Sequence, residues 1–297
     1  MNTLRGVYLP VVTPFYDNEV DYQSYVSLLN YYKKKDISGF FPLGTTGESP
    51  CITDDEYKRI IYATLETLEG QVPVFAGIGG NFTYKVIKRI REFENSGIAG
   101  ILSVCPYYNR PDQNGLFRHF EKISESTELD IIIYNIPYRT GVNMSNDTLL
   151  KLSGFQNIIG VKDSCGDIRQ SIDLISQRPE GFAVLTGEDH LFYTTVVNGG
   201  DGGILASAHL YTDDFIDVYK CLENNDHKKA LGIWQRVRGI IPRLFEEPNP
   251  GPLKYCLSDL GLMRSPETRA PLVGISEGLK KQLDVYLEDN RNKMVSY

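Results

Sequence analysis

The residue most able to do chemistry is Lys162, which closes the apolar run Ile158-Ile159-Gly160-Val161. An ammonium set into such a run is costly unless it is paired or neutral. Burial lowers a lysine pKa, and a neutral amine can attack a carbonyl to form a Schiff base. Pairing with Asp163 or another carboxylate is the structural alternative. Tyr134 ends Ile131-Ile132-Ile133, and Asn135-Ile136-Pro137-Tyr138-Arg139-Thr140-Gly141 follows. A tyrosine hydroxyl can move protons, and the Arg139 guanidinium can clamp a carboxylate with two parallel bonds. Taken singly, a core tyrosine beside a surface arginine explains them better.

Three further clusters share this pattern. Gly44-Thr45-Thr46-Gly47-Glu48 offers hydroxyls and exposed backbone N–H groups as an anion cradle, or simply a turn ahead of a helix. Tyr107-Tyr108-Asn109-Arg110-Pro111 places two adjacent tyrosines in different directions, one for a site and one for an interface, or both for rim packing. Glu188 and Asp189, after Gly187, read first as caps of the next helix and second as bases or metal ligands. His209 reads first as a satisfied structural histidine and second as a catalytic one. Together, a lysine amine, a tyrosine, threonine hydroxyls and an arginine suit imine chemistry on a small keto acid.

These residues stand at the ends of regularly recurring apolar runs: 6–15, 39–44, 72–79, 100–108, 130–137, 158–165, 182–189 and 202–209. Their separation, roughly 20–35 residues, is the length of a βα unit. The intervening segments are helix-patterned: 22–35, 54–69, 83–95, 116–126, 146–152, 167–176, 191–198 and 212–223. Thr53, with Glu56 three residues on, predicts a capping box. The runs are apolar on both faces, as parallel strands covered by helices must be. Eight such units predict an α/β fold, a (β/α)8 TIM barrel over residues 1–224 with a C-terminal helical appendix over 225–297. The appendix should contain helices at 226–245, 252–260 and 276–290. A doubly wound sheet is disfavoured because no GxGxxG follows the first run. In a TIM barrel, active sites lie at the C-terminal strand ends, where the residues above stand.

Composition narrows the function. The 297 residues hold 31 Lys and Arg against 38 Asp and Glu, a net charge of −7. That argues against a nucleic-acid or anionic-membrane binder. No apolar run approaches the ~20 residues of a membrane helix, and no secretory signal is visible at the start. The five cysteines are dispersed with no CxxC, and no two of the four histidines are spaced as a metal pair. Buried thiols in a reducing, cytoplasmic setting and a metal-free site are expected.

The chain resembles the dihydrodipicolinate synthase and N-acetylneuraminate lyase family of Schiff-base barrel enzymes from Gly6 to about Ile275. Gly44-Thr45-Thr46-Gly47-Glu48, Tyr107-Tyr108-Asn109-Arg110-Pro111, Tyr134-Asn135-Ile136-Pro137 and Gly160-Val161-Lys162-Asp163 carry the resemblance, in order and at the family's separations. The resemblance implies that Lys162 condenses with pyruvate, the covalent imine replacing any cofactor. It implies a proton relay of Thr45, Tyr134 and Tyr108, the last reaching a neighbouring subunit of a homotetramer built as a dimer of dimers. Thr46, with backbone groups of the Gly44 turn, would hold the pyruvate carboxylate, and Gly187 and Ile204 would line the pocket. Arg139 matches the synthase branch, where an arginine binds aspartate 4-semialdehyde in the route to diaminopimelate and lysine. Residues 244–250 are also similar to that branch.

Some positions depart from it. Asp163-Ser164-Cys165-Gly166 stands where Glu-Ala-Thr/Ser-Gly is usual, and Leu205-Ala206 and His209 also differ. The alternative is another pyruvate aldolase acting on a 2-keto-3-deoxy sugar acid, a 4-hydroxy-2-oxo acid or N-acetylneuraminate. Ser49, Asn81 and Tyr107 match the family's lysine-feedback site, but Lys85 replaces a glutamate, and Asp54 and Tyr57 replace histidines. Weak or absent lysine inhibition is expected.

Overall fold

Eight short parallel strands alternate with helices in a computed structural model that describes residues 4–294, with side chains described to residue 288. The strands are β1 (Gly6–Leu9), β2 (Gly39–Phe40), β3 (Phe75–Gly77), β4 (Gly100–Val104), β5 (Asp130–Asn135), β6 (Ile158–Asp163), β7 (Ala183–Thr186) and β8 (Gly202–Ile204). Each lies inside one of the expected runs. They define the (β/α)8 TIM-barrel class, with further helices after the last unit.

The chain divides into two compact units. Among the described residues, one holds residues 4–6 and Pro73–Ile204; the other holds Val7–Val72 and residues 205–294. In the first, β3 to β8 form a continuous parallel ladder in sequence order. Ile131, Ile132 and Ile133 of β5 are wholly buried, as a parallel strand between covered faces requires. Register pairs Ile133 with Val161, Tyr134 with Lys162 and Lys162 with Leu185. The reactive side chains are therefore fixed by strands packed on both sides. In the second unit β1 pairs with β2, Tyr8 opposite Gly39.

The helix signals act as expected at several ends. Thr53 caps Asp54–Leu68 in a capping box, its hydroxyl accepting from the Glu56 N–H at 3.4 Å while the Glu56 carboxylate accepts from the Thr53 N–H at 2.9 Å. Helices Asn146–Leu152 and Thr212–Glu223 have the expected bounds.

Three differences have local causes. The first strand stops at Leu9, and Phe15–Tyr16 instead forms a hairpin with Glu19–Val20. Asp17 and Asn18 turn it with φ of 51° and 61°, the left-handed pair a two-residue hairpin loop needs. The expected helix 226–245 is two, His227–Val237 and Ile241–Leu244. Pro242, lacking an N–H, can open a new helical turn but cannot continue the old one. The helix expected at 116 begins earlier, at Gln113, because the Asp112 carboxylate caps it by accepting from the Gly115 N–H at 2.8 Å.

Candidate active site

At the end of β6 the Lys162 side chain is only 5% exposed. Its register partner on β5 is Tyr134, so both project from the same face of the ladder. The lysine Nζ sits 4.4 Å from the centroid of the Tyr134 ring. Loss of water pulls the lysine pKa from its usual 10.5 down to about 8. The carboxylates of Asp189 and Glu188 partly oppose that fall, and the Arg139 guanidinium adds to it.

Asp163 is not the lysine's counter-ion. The next residue on a strand faces the other way, and its carboxylate accepts from the Cys165 N–H at 3.0 Å and the Ser171 hydroxyl at 2.5 Å. The Asp163 carbonyl accepts from the Gly187 N–H at 2.8 Å, which sets Gly187 beside the lysine. A Cβ on Gly187 would meet the Ser164 hydroxyl and approach the Lys162 Cε to 2.5 Å. Only glycine leaves room there for the amine's stem.

Glu188 does not cap the following turn: its side chain makes no cap bond, contrary to the first expectation. Its backbone N–H donates to Thr186 Oγ1 at 3.1 Å. Burial, together with Asp189, pushes its carboxyl up to about 7, while Lys162 acts in the opposite sense. Ile204 ends β8 and is buried. Arg139 lies in the helical turn Pro137–Thr140, exposed, with its guanidinium 5.6 Å from the Tyr138 ring centroid. Tyr108 is 91% exposed, with a φ of 72° that side chains rarely adopt.

In the second unit, Gly44-Thr45-Thr46-Gly47-Glu48 folds as a tight turn after β2. The Glu48 N–H donates to the Thr45 carbonyl at 3.0 Å, and a Cβ at Gly44 would meet open space. Thr46 is buried and its hydroxyl accepts from the Asn249 side-chain amide at 3.1 Å. Thr13 Oγ1 donates to the Gly47 carbonyl at 2.8 Å. Glu48 pairs with Lys254 at 2.5 Å, and Lys254 also donates to the Glu267 carbonyl at 2.8 Å. Sequence reasoning did not single out Lys254. Its signal was a lysine within Pro252-Leu253-Lys254-Tyr255-Cys256-Leu257, an otherwise mostly apolar helical stretch.

His209 is buried, and its Nε2 has no hydrogen-bond partner among the described residues, so the expectation of a satisfied ring holds at one nitrogen only. Its Nδ1 lies 2.9 Å from the Ala206 carbonyl, its ring meets Tyr32 edge-on, and burial pushes it down to about 4. Among the described residues no group of three or more His, Cys, Asp and Glu side chains is placed to hold a metal ion. No described helix is long and apolar enough to cross a membrane.

Residues 3–290 match the dihydrodipicolinate synthetase family. The chain is 53% identical to 4-hydroxy-tetrahydrodipicolinate synthase 2 of Clostridium acetobutylicum, over 96% of this chain and 99% of that one. It superposes on the crystal structure of dihydrodipicolinate synthase from Thermotoga maritima with a TM-score of 0.94 and 34% identity, covering 98% and 99% of the two chains. A monomeric dihydrodipicolinate synthase variant gives the same TM-score and identity, with 97% of each chain covered.

Proposed function

The chain belongs to the dihydrodipicolinate synthetase family, and from that premise we infer that it is a lyase with 4-hydroxy-tetrahydrodipicolinate synthase activity. It joins pyruvate to aspartate 4-semialdehyde on the route to diaminopimelate and lysine. The observation that carries this reading is the buried Lys162 amine, held against Tyr134 with its pKa pulled down to about 8. Near neutral pH a usable fraction of such an amine is unprotonated, where an ordinary lysine would be almost wholly charged.

The neutral amine attacks the pyruvate C2 carbonyl and water leaves, giving the imine. The protonated imine withdraws electrons, so a methyl proton of pyruvate departs and an enamine forms. The enamine carbon attacks the aldehyde, and the new alkoxide takes a proton. The acceptor's own amine then attacks the imine carbon, closes the ring and releases Lys162. Tyr134 shuttles the protons, and the relay roles of Thr45 and Tyr108 follow from the motif match. Thr46 and the Gly44 turn hold the pyruvate carboxylate, Gly187 and Ile204 line the site, and Arg139 takes the carboxylate of the semialdehyde. The imine makes a separate cofactor unnecessary. The working form is a cytoplasmic homotetramer, a dimer of dimers in which the exposed Tyr108 reaches a second copy.

Borohydride reduction in the presence of pyruvate tests the first half. Intact mass should rise by one reduced adduct, located on Lys162; an unmodified protein refutes the Schiff base. Turnover of aspartate semialdehyde against 2-keto-3-deoxy sugar acids and N-acetylneuraminate tests the second half. Negligible semialdehyde turnover, or an Arg139→Ala variant with an unchanged semialdehyde KM, overturns the acceptor assignment.

A further inference from the structure

The turn that carries Arg139 is fastened at two places. At its base stands Asn135, wholly buried. Its Oδ1 accepts from the Met144 N–H at 3.0 Å, and its amide donates to Asn143 Oδ1 at 2.8 Å and the Met144 carbonyl at 3.4 Å. Residues 136–143 thus form a closed loop. Inside it the Thr140 hydroxyl bonds the Ile136 and Val142 carbonyls at 3.0 and 2.9 Å.

At the tip stands Gly141, two residues after Arg139. Its φ of 75° ends the helical turn, with its N–H donating to the Pro137 carbonyl at 2.8 Å. The Gly141 carbonyl accepts from Arg110 Nε at 2.8 Å. The arginine stem lies flat on the glycine: a Cβ there would sit 3.1 Å from Nε and 3.2 Å from Cδ.

The donor side of this bond is itself anchored. Arg110 has a φ of 44° and follows Tyr108, at 72°, in one strained loop. Asn109 ties that loop to its neighbour by donating to the Asn81 carbonyl at 2.8 Å. Two residues after Arg110, Asp112 caps the helix Gln113–Ser124. Gln113 reaches the same turn, donating to the Asn143 carbonyl at 2.8 Å.

We propose that Arg110 is a positioning residue for Arg139: its Nε–H holds the Gly141 carbonyl and fixes the turn that presents Arg139 to the acceptor's carboxylate. The inference rests on the synthase reading above. It makes the loop bearing Tyr108 and the turn bearing Arg139 one mechanical unit, in which the Arg110 bond holds the tip of the turn and the Gln113 bond holds Asn143 near its base. The buried Asn135 keeps the base of the turn closed when that bond is absent, so the effect is a misplaced guanidinium and not an unfolded loop.

Two substitutions isolate the bond. Arg110→Gln puts an N–H donor at the same number of bonds from the backbone as Nε, without the charge. Arg110→Met keeps the stem and removes the donor. Wild type, both variants and Arg139→Ala are compared by semialdehyde KM, pyruvate KM, kcat and borohydride trapping of pyruvate. Loss of one well-placed hydrogen bond is expected to raise the semialdehyde KM about tenfold in Arg110→Met. Arg110→Gln should stay near wild type, and trapping and pyruvate KM should be unchanged in both. Equal losses in the two variants would show that the charge matters and not the bond. A wild-type KM in Arg110→Met, or a fall in kcat alone, likewise overturns the proposal. Failure of wild type itself to turn over the semialdehyde would remove the synthase reading, and this inference with it.

Discussion

Lys254 and Glu48 form an ion pair sealed from water, their side chains 0% and 1% exposed and the charged atoms 2.5 Å apart. Glu48 ends the turn that holds Thr45 and Thr46, and Lys254 comes from the helix Gly251–Asp259. The Lys254 ammonium also lies 4.1 Å from the centroid of the Phe15 ring, and the Arg269 N–H donates to the second Glu48 oxygen at 3.0 Å. At that burial the protein supplies the compensation for each charge, and loss of one leaves the other in a site closed to solvent.

Lys254→Met should therefore be severely destabilising. It leaves the Glu48 charge buried without its counter-ion, a change that costs about 3–5 kcal/mol. The double variant Glu48→Gln with Lys254→Met removes both charges and should recover much of that loss. Urea unfolding midpoints of wild type, the single variant and the double variant make the comparison. A single variant as stable as wild type would mean that Glu48 finds other compensation.

The depressed Lys162 gives a pH dependence with a definite sign. Below about 8 the amine is increasingly protonated and cannot attack, so kcat/KM for pyruvate should rise with pH and level off above that value. Glu188 and Asp189 hold the lysine pKa up. Glu188→Gln removes one of these charges, so the midpoint should move to lower pH. A midpoint near the ordinary lysine value, or a shift upward in Glu188→Gln, would contradict this electrostatic account.

Gly187→Ala tests how tightly the amine is housed. The added methyl would press on Lys162 Cε and the Ser164 hydroxyl. Displacing the nucleophile by about 1 Å typically costs on the order of 100-fold in rate. The trapping yield with pyruvate should fall in step with kcat, while circular dichroism stays that of wild type. Undiminished trapping would place the lysine stem elsewhere.

Much of this site was legible in the sequence because strands are regular. A lysine at the end of Ile158-Ile159-Gly160-Val161 must sit where a parallel strand meets its loop, and Tyr134 occupies the same place on the preceding strand. Side chains that depend on distant parts of the chain were not legible. Lys254 and Asn249 bond residues more than 200 positions away, and no local pattern carries that pairing. Glu188 was misread for a related reason. Acidic residues before a helix usually cap it, and only tertiary packing buries this one, where Asp189 and Lys162 act on its carboxyl in opposite senses. The break at Arg238-Gly239-Ile240 was missed because the apolar spacing of 226–245 runs on through it, while Pro242 was the available warning.

Lysine feedback offers a prediction that depends on a single charge. The effector carries two ammonium groups, and inhibited relatives are expected to meet one with a glutamate where this chain has Lys85. Lys85 is exposed on the helix Thr83–Arg91, whose last turn also holds Lys88, Arg89 and Arg91. Like charges repel the effector from this helix, so wild type should keep nearly full activity at sub-millimolar lysine. Lys85→Glu reverses the sign at the position itself, and Asn81 and Tyr107, which match the effector site, remain in place. That variant should gain measurable lysine inhibition with little change in uninhibited kcat, read from initial rates over a lysine titration. Strong inhibition of wild type would show that another group supplies the missing anion. A Lys85→Glu variant as insensitive as wild type would show that this charge alone does not set the response.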